Sequence, residues 1–167
     1  MTRLYSGEEV SKDSPRPELA GDIDELVSAL GIARSLARRP EAREAILYVQ
    51  RALFVVGSEL ATSPEGTGLL ERRADTDMVK VLEGRRLALE AQVDIPRGFV
   101  IPGDALAAAH LDLARAIARR CERKVVSLLR GAEVINEHLL VWMNRLSDYL
   151  WLLARFEESG PKARRRR

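Results

Sequence analysis

"AREAILYVQRALFVVGSEL", running from Ala42 to Leu60, decides the fold. Its apolar residues Ile46, Val49, Leu53, Val56 and Leu60 recur every three or four positions, the spacing that lines one face of an α-helix and not the alternation of a strand. Pro40 stands just ahead, where a first helical turn tolerates the missing N–H. The spacing predicts a core helix from about Pro40 to Thr62, ended by the loop "TSPEGTG" with its Gly, Pro, Ser and Thr.

The same spacing extends in both directions. Upstream, "GDIDELVSALGIARSLARR" predicts helix one from Gly21, with Asp22 and Glu25 as a capping box and Ile23, Leu26, Leu30 and Ala33 as its apolar stripe. Before it, Met1 to Glu18 is polar and interrupted by Pro15 and Pro17, and reads as an extended arm. Downstream, helix three (Asp75 to Val93) carries Met78, Val81, Leu82 and Leu89 on one face. Helix four (Asp104 to Leu129) carries Leu106, His110, Leu113, Ile117, Cys121, Val125 and Leu128. Helix five (Asn136 to Phe156) carries Leu139, Met143, Leu146, Leu150 and Leu153. "DIPRGFVIPGD" cannot be helical, and its apolar Phe99, Val100 and Ile101 suit a loop that packs on the helices or lines a pocket. The expectation is an all-α, five-helix bundle over 19–158, between an arm (1–18) and a tail (159–167), with no strands needed.

Composition narrows the function classes. A chain of 167 residues suits one domain. The net charge is +2, and the closing run Lys162 to Arg167 supplies five positive charges, so the remainder is slightly acidic. Such a short run after Gly160-Pro161 reads as a disordered solubilising end, and no nucleic-acid or membrane partner is assigned to it. No apolar run of about 18 residues and no signal peptide is present, which gives a cytoplasmic location by default. The single cysteine, Cys121, excludes an internal disulfide and a multi-cysteine metal site and reads as a core residue. With two histidines in the chain a catalytic triad has little to draw on. His110 reads as a hydrogen-bonded core histidine, and His138 has no partner at metal-ligand spacing. No metal site is expected. Trp142, Tyr149 and Trp151 are core or interface aromatics.

"LARAIARRCERKVV", Leu113 to Val126, puts four arginines into a core-like helix. With each residue turning about 100°, Arg115 and Arg119 share a face with Asp112, Glu122 and Val126. Arg120 lies near the apolar edge, where a guanidinium needs a carboxylate or a bound anion. Asn144 and Asp148 stand one turn apart on helix five, and Asp24 and Glu25 stand in helix one. Interhelical ion pairs and a polyphosphate or cofactor site between helices use the same residues, and both readings stay open on spacing alone.

In order along the chain, "MTRLY", "VSKD", "DIDELVSALG", "VQRALFVVGSELAT", "GFVIPG", "ARAIARRCER" and "NRLSDYLWLLAR" resemble the ATP:cob(I)alamin adenosyltransferases of the propanediol-utilisation type. The resemblance covers Val10 to Arg155, and the last two motifs are the specific ones. It implies a ferritin-like five-helix bundle assembled as a homotrimer, with ATP, its Mg²⁺ and the corrinoid bound where subunits meet. It implies transfer of the 5′-deoxyadenosyl group of ATP to cob(I)alamin, leaving triphosphate. The nucleophile is then the substrate, and the protein supplies positioning and charge. By the same resemblance Arg115, Arg119 and Asp24 are the catalytic set, Asp24 pairing with an arginine equivalent to Arg115 across the interface. Glu122, Asn144, Arg120 and Lys12 bind the nucleotide, Arg120 beside polyphosphate or an intersubunit partner. Phe99 presses on the corrin face.

The chain departs from that pattern at one end. The family's Thr-Gly-Asp-x-Gly loop, which wraps the triphosphate, is missing, and "SGEEV" runs straight into Ser11-Lys12-Asp13 with Glu8 and Glu9 alongside. Val27 stands for the family's asparagine, and Asp104 for its second loop glycine. A related protein that keeps a pocket for a corrinoid or nucleotide without turnover, or a purely structural trimer, is the alternative.

Overall fold

The computed structural model describes residues 1–4, 6–131 and 136–159; the basic run after Ser159 lies outside the described residues. The elements in order are β1 (Thr2–Arg3), β2 (Glu9–Val10), α1 (Pro15–Leu36), α2 (Pro40–Leu60), a short 3-10 helix (Pro64–Leu69), α3 (Thr76–Glu90), α4 (Leu106–Arg130) and α5 (Glu137–Ser159). Among the described residues the fold is all-α apart from one small hairpin. α4 lies against both α1 and α5, α2 packs on α1, and α3 packs on α5. Among the described residues no helix is long and apolar enough to cross a membrane.

The helices with bulky stripes form as their spacing predicts. Ile46, Val49, Leu53, Val56 and Leu60 of α2 are all buried, as are Leu139, Met143, Leu146, Leu150 and Leu153 of α5, together with Trp142 and Tyr149. Each fully buried leucine contributes about 2 kcal/mol of transfer free energy. α3 starts behind Asp75, whose Oδ1 accepts from the Met78 amide at 2.7 Å, an ordinary N-cap. It buries Leu82 and Leu89 but leaves Val81 exposed.

α4 differs from its sequence reading. Ile117, Cys121, Val125 and Leu128 are buried as expected, but the inner face is completed by Ala107, Ala108, Leu111, Ala114 and Ala118, while Leu106 and Leu113 are 70% and 51% exposed. Alanines between the larger side chains of this face leave room for α1 and α5 to pack on it. His110 is half-buried. Its Nδ1 is enclosed without a hydrogen-bond partner, so it is not the satisfied core histidine that its spacing suggests.

The N-terminal region is also more ordered than an extended arm. α1 begins at Pro15, with Ser14 at the N-cap position, because prolines in a first turn lose no hydrogen bond the helix would have made. Asp22 therefore lies inside the helix and caps nothing. Ahead of it β1 and β2 pair antiparallel, Thr2 with Val10 and Arg3 with Glu9. Gly7 makes the turn at φ 89°, a left-handed conformation that glycine adopts without strain. The hairpin is seated on the chain: Leu4 is buried, and a side chain at Gly66 would collide with Ser6. Arg16 reaches from α1 to the Thr62 carbonyl.

Two polar groups lock the ends of the bundle. Buried Glu59 accepts from Arg73 Nε at 3.0 Å, the Ala74 amide at 2.8 Å and Asn136 Nδ2 at 2.8 Å. Asn136 Oδ1 in turn accepts from the His138 amide at the start of α5. At the other end Arg155, 4% exposed, donates to Asp112 at 2.6 Å and to Glu158 at 2.9 Å.

Candidate functional site

The antiparallel packing of α4 against α1 and α5 fixes which side chains meet. On the α1 side, Glu18, Asp22 and Glu25 stand at helical spacing opposite Arg120 and Lys124. Lys124 Nζ lies 2.7 Å from both Glu18 Oε1 and Asp22 Oδ2. Arg120 is 3.2 Å from Asp22 Oδ1 and also bonds Glu25. Burial works against the Arg120 and Lys124 charges, but these carboxylates outweigh it and hold both groups above their ordinary range. Arg120 is thus occupied by its own chain. Of the two readings open for it, the ion-pair reading is the one this geometry makes.

On the α5 side Asn144 Nδ2 donates to Glu122 Oε1 at 2.9 Å. Arg115, half-buried, lines a cavity of about 270 Å³ with Arg86, Glu90, Asp148 and Trp151. Between these two flanks Arg119 is exposed and makes no hydrogen bond or ion pair with any described residue. Asp24 on α1 is likewise exposed and makes no hydrogen bond or ion pair with any described residue.

Arg115, Arg119, Glu122 and Asn144 therefore share the α4/α5 surface, and Asp24 and Arg120 share the α1/α4 surface next to it. Lys12 and Phe99 are not brought to them within the chain. Lys12 is exposed in the turn before α1, whose first half lies along the C-terminal half of α4. Phe99 precedes the opposite end of α4, in a loop where it and Ile101 are fully or largely exposed. Phe99 and Ile101 do not pack on the bundle, while Ile95 of the same segment lines the cavity beside Arg115, so of the two alternatives for this loop the pocket-lining one is met, by a different residue. Cys121 is buried behind the site, and burial together with nearby Asp22 pushes its thiol up to about 12, so it is no nucleophile at neutral pH. Among the described residues no three His, Cys, Asp or Glu side chains converge as metal ligands.

Asp22 and Lys124 are site neighbours that sequence reasoning did not single out as functional, whereas Asp148 is already among the polar residues it weighs for a site between helices. The signal for the first two was present, since Glu18, Asp22 and Glu25 at one helical face complement Arg120 and Lys124 at another. It becomes readable only once α1 and α4 are known to run antiparallel.

An anion-ready arginine and a carboxylate on one helix, with an amide on the next, describe a surface for a charged, polar ligand. Comparison with known proteins agrees. A family model described as cobalamin adenosyltransferase matches residues 1–157. The corrinoid adenosyltransferase of Citrobacter freundii is 37% identical over 160 residues, covering 96% of this chain and 90% of that protein. The corrinoid adenosyltransferase of Bacillus subtilis is 37% identical over 159 residues, covering 93% and 80%. A variant PduO-type ATP:corrinoid adenosyltransferase from Lactobacillus reuteri, solved complexed with cobalamin and ATP, superposes with a TM-score of 0.83 at 31% identity, covering 94% and 87% of the two chains. The chain belongs to the cobalamin adenosyltransferase family.

Proposed function

We propose that this member of the family transfers the 5′-deoxyadenosyl group of ATP to cob(I)alamin. A cobalt–carbon bond forms as the C5′–oxygen bond breaks, and triphosphate leaves with the bonding pair. The nucleophile arrives with the substrate, so the protein's work is to align two ligands and offset charge on the leaving group. The observation that carries this reading is Arg119, exposed beside the Glu122–Asn144 pair and without a hydrogen-bond or ionic partner among the described residues. A free guanidinium next to a fixed amide suits a polyphosphate better than it suits a stable fold.

In this reading Arg115, Arg119, Glu122 and Asn144 hold the nucleotide, and Lys12 adds a phosphate contact. Mg²⁺ arrives on the phosphates of ATP. Arg120 keeps α1 beside the site. The chain is a homotrimer in which Asp24 of one subunit meets Arg115 of the next, and Phe99 presses on the corrin. Support for a site shared between chains comes from Asp24, Phe99 and Lys12, which lie exposed at separate places along one copy. The enzyme works in the cytoplasm, where ATP is plentiful.

A second reading, a homologue that binds its ligands without turnover, is favoured by the hairpin. It turns back at Gly7 and leaves Glu8 exposed beside Glu9, which is paired to Arg3 at 3.0 Å, and a carboxylate such as that of Glu8 repels triphosphate. The experiment is adenosylcobalamin formation from Mg-ATP and cob(I)alamin under strong reductant, against a no-protein control and Arg119→Ala. Product above the control that the substitution removes supports transfer. Mg-ATP binding with no product selects the second reading, and no binding at millimolar ATP defeats both.

A further inference from the structure

We infer that Asp148 is a positioning residue for Arg115, and this rests on the nucleotide-site reading above. Four charged side chains line the cavity between α3, α4 and α5: Arg86, Glu90, Arg115 and Asp148. Arg86 is already satisfied. It donates to Glu90 at 2.8 Å and to Glu83 at 3.0 and 3.1 Å, and these carboxylates raise its affinity for its proton further, against the cost of burial. That leaves Arg115 and Asp148, of opposite charge on one cavity wall, and neither makes a hydrogen bond or ion pair with any described residue.

The register of α4 on α5 points to the same pair. Asp112 meets Arg155 at 2.6 Å, and two to three turns further along Glu122 meets Asn144 at 2.9 Å. Both rungs run between the same two antiparallel helices, and both have the acidic group on α4. Asp148 is the polar residue of α5 that faces α4 between them, one turn from Asn144, and here the polarity reverses, with the arginines on α4. The middle rung is therefore built in charge but open in geometry. Arg115 has several rotatable bonds to close it with, and a partly buried guanidinium gains from a carboxylate that fixes its fork. With Asp148 on the α5 side, Arg115 is held at one angle toward whatever approaches across α4, whether a phosphate or a carboxylate of another subunit.

The test is a double-mutant cycle on Asp148→Asn and Arg115→Gln, read as Mg-ATP affinity by calorimetry and as the denaturant midpoint of the same preparations. Each single change is expected to weaken Mg-ATP binding by about tenfold, and the double variant no further, because both break one pair. Asp148→Glu is expected to recover most of the affinity. Unchanged affinity in Asp148→Asn, or additive losses in the double variant, would overturn the inference. If the wild-type protein binds no Mg-ATP, the nucleotide-site reading fails by itself, and the denaturation cycle decides the pair: non-additive midpoints support it, additive midpoints refute it.

Discussion

Asn144 Nδ2 donates to Glu122 Oε1 at 2.9 Å, joining α5 to α4 one turn from Arg119. Asn144 is exposed and Glu122 only half-buried, so the bond adds little to stability in water. Its effect is directional, since it fixes the amide and the carboxylate before any ligand arrives. Asn144→Ala is expected to lower the melting temperature by no more than a degree or two, a few tenths of a kcal/mol, and to weaken Mg-ATP binding by about tenfold. Calorimetry and thermal melting on one preparation read both.

Neighbouring arginines should behave in opposite ways. Arg119 makes no hydrogen bond or ion pair with any described residue, so Arg119→Ala should leave stability within about 0.5 kcal/mol while removing nucleotide binding. Arg120→Ala strips a partner from Asp22, whose side chain is 15% exposed, and should cost about 1 to 2 kcal/mol. Urea denaturation separates them, and equal losses of stability would contradict the assignment.

Phe99 is fully exposed and contributes nothing to the core. Phe99→Ala should keep the denaturation midpoint and lower the affinity for the corrinoid, measured by titration followed through the corrinoid's visible absorption. A destabilised variant would show that the loop packs on the bundle in solution.

Cys121 sets an alkaline limit. Its folded thiol titrates near 12, whereas an unfolded thiol titrates near about 8.5. The folded state therefore retains a proton that the unfolded chain releases. Stability is intact below about pH 8.5 and falls by about 1.4 kcal/mol per unit as pH rises toward the folded value. Lys124, Tyr48 and Tyr149 are also raised and add the same sign at higher pH. In Cys121→Ala the fall between about pH 9 and 10 should be shallower by close to one proton, as read from urea midpoints across that range.

How much was legible depends on side-chain size. α2 and α5 could be drawn from sequence because Ile46, Leu53, Leu146 and Leu150 are both large and buried. In α4 the spacing finds Ile117, Cys121, Val125 and Leu128 but puts Leu106 and Leu113 inside as well, because leucine outweighs alanine in any hydrophobicity count, whereas Ala114 and Ala118 are the buried residues there. The start of α1 was hidden by Pro15 and Pro17, which break a helix interior but not a first turn. The family motifs placed Arg115, Arg119, Glu122 and Asn144 on one surface. What they could not give is the partner of Arg120, since Asp22 and Glu25 lie 98 and 95 positions away and meet it only through packing.

The alanine face of α4 also limits how this protein can change. Ala114 and Ala118 are 0% exposed between helices that carry opposite halves of the site. A single added methyl group there has no room and acts as a wedge, displacing α1 or α5 and moving Asp24 or Asn144 with it. Adaptation to a different ligand is therefore open to the exposed residues of this surface, and closed to the small residues beneath it.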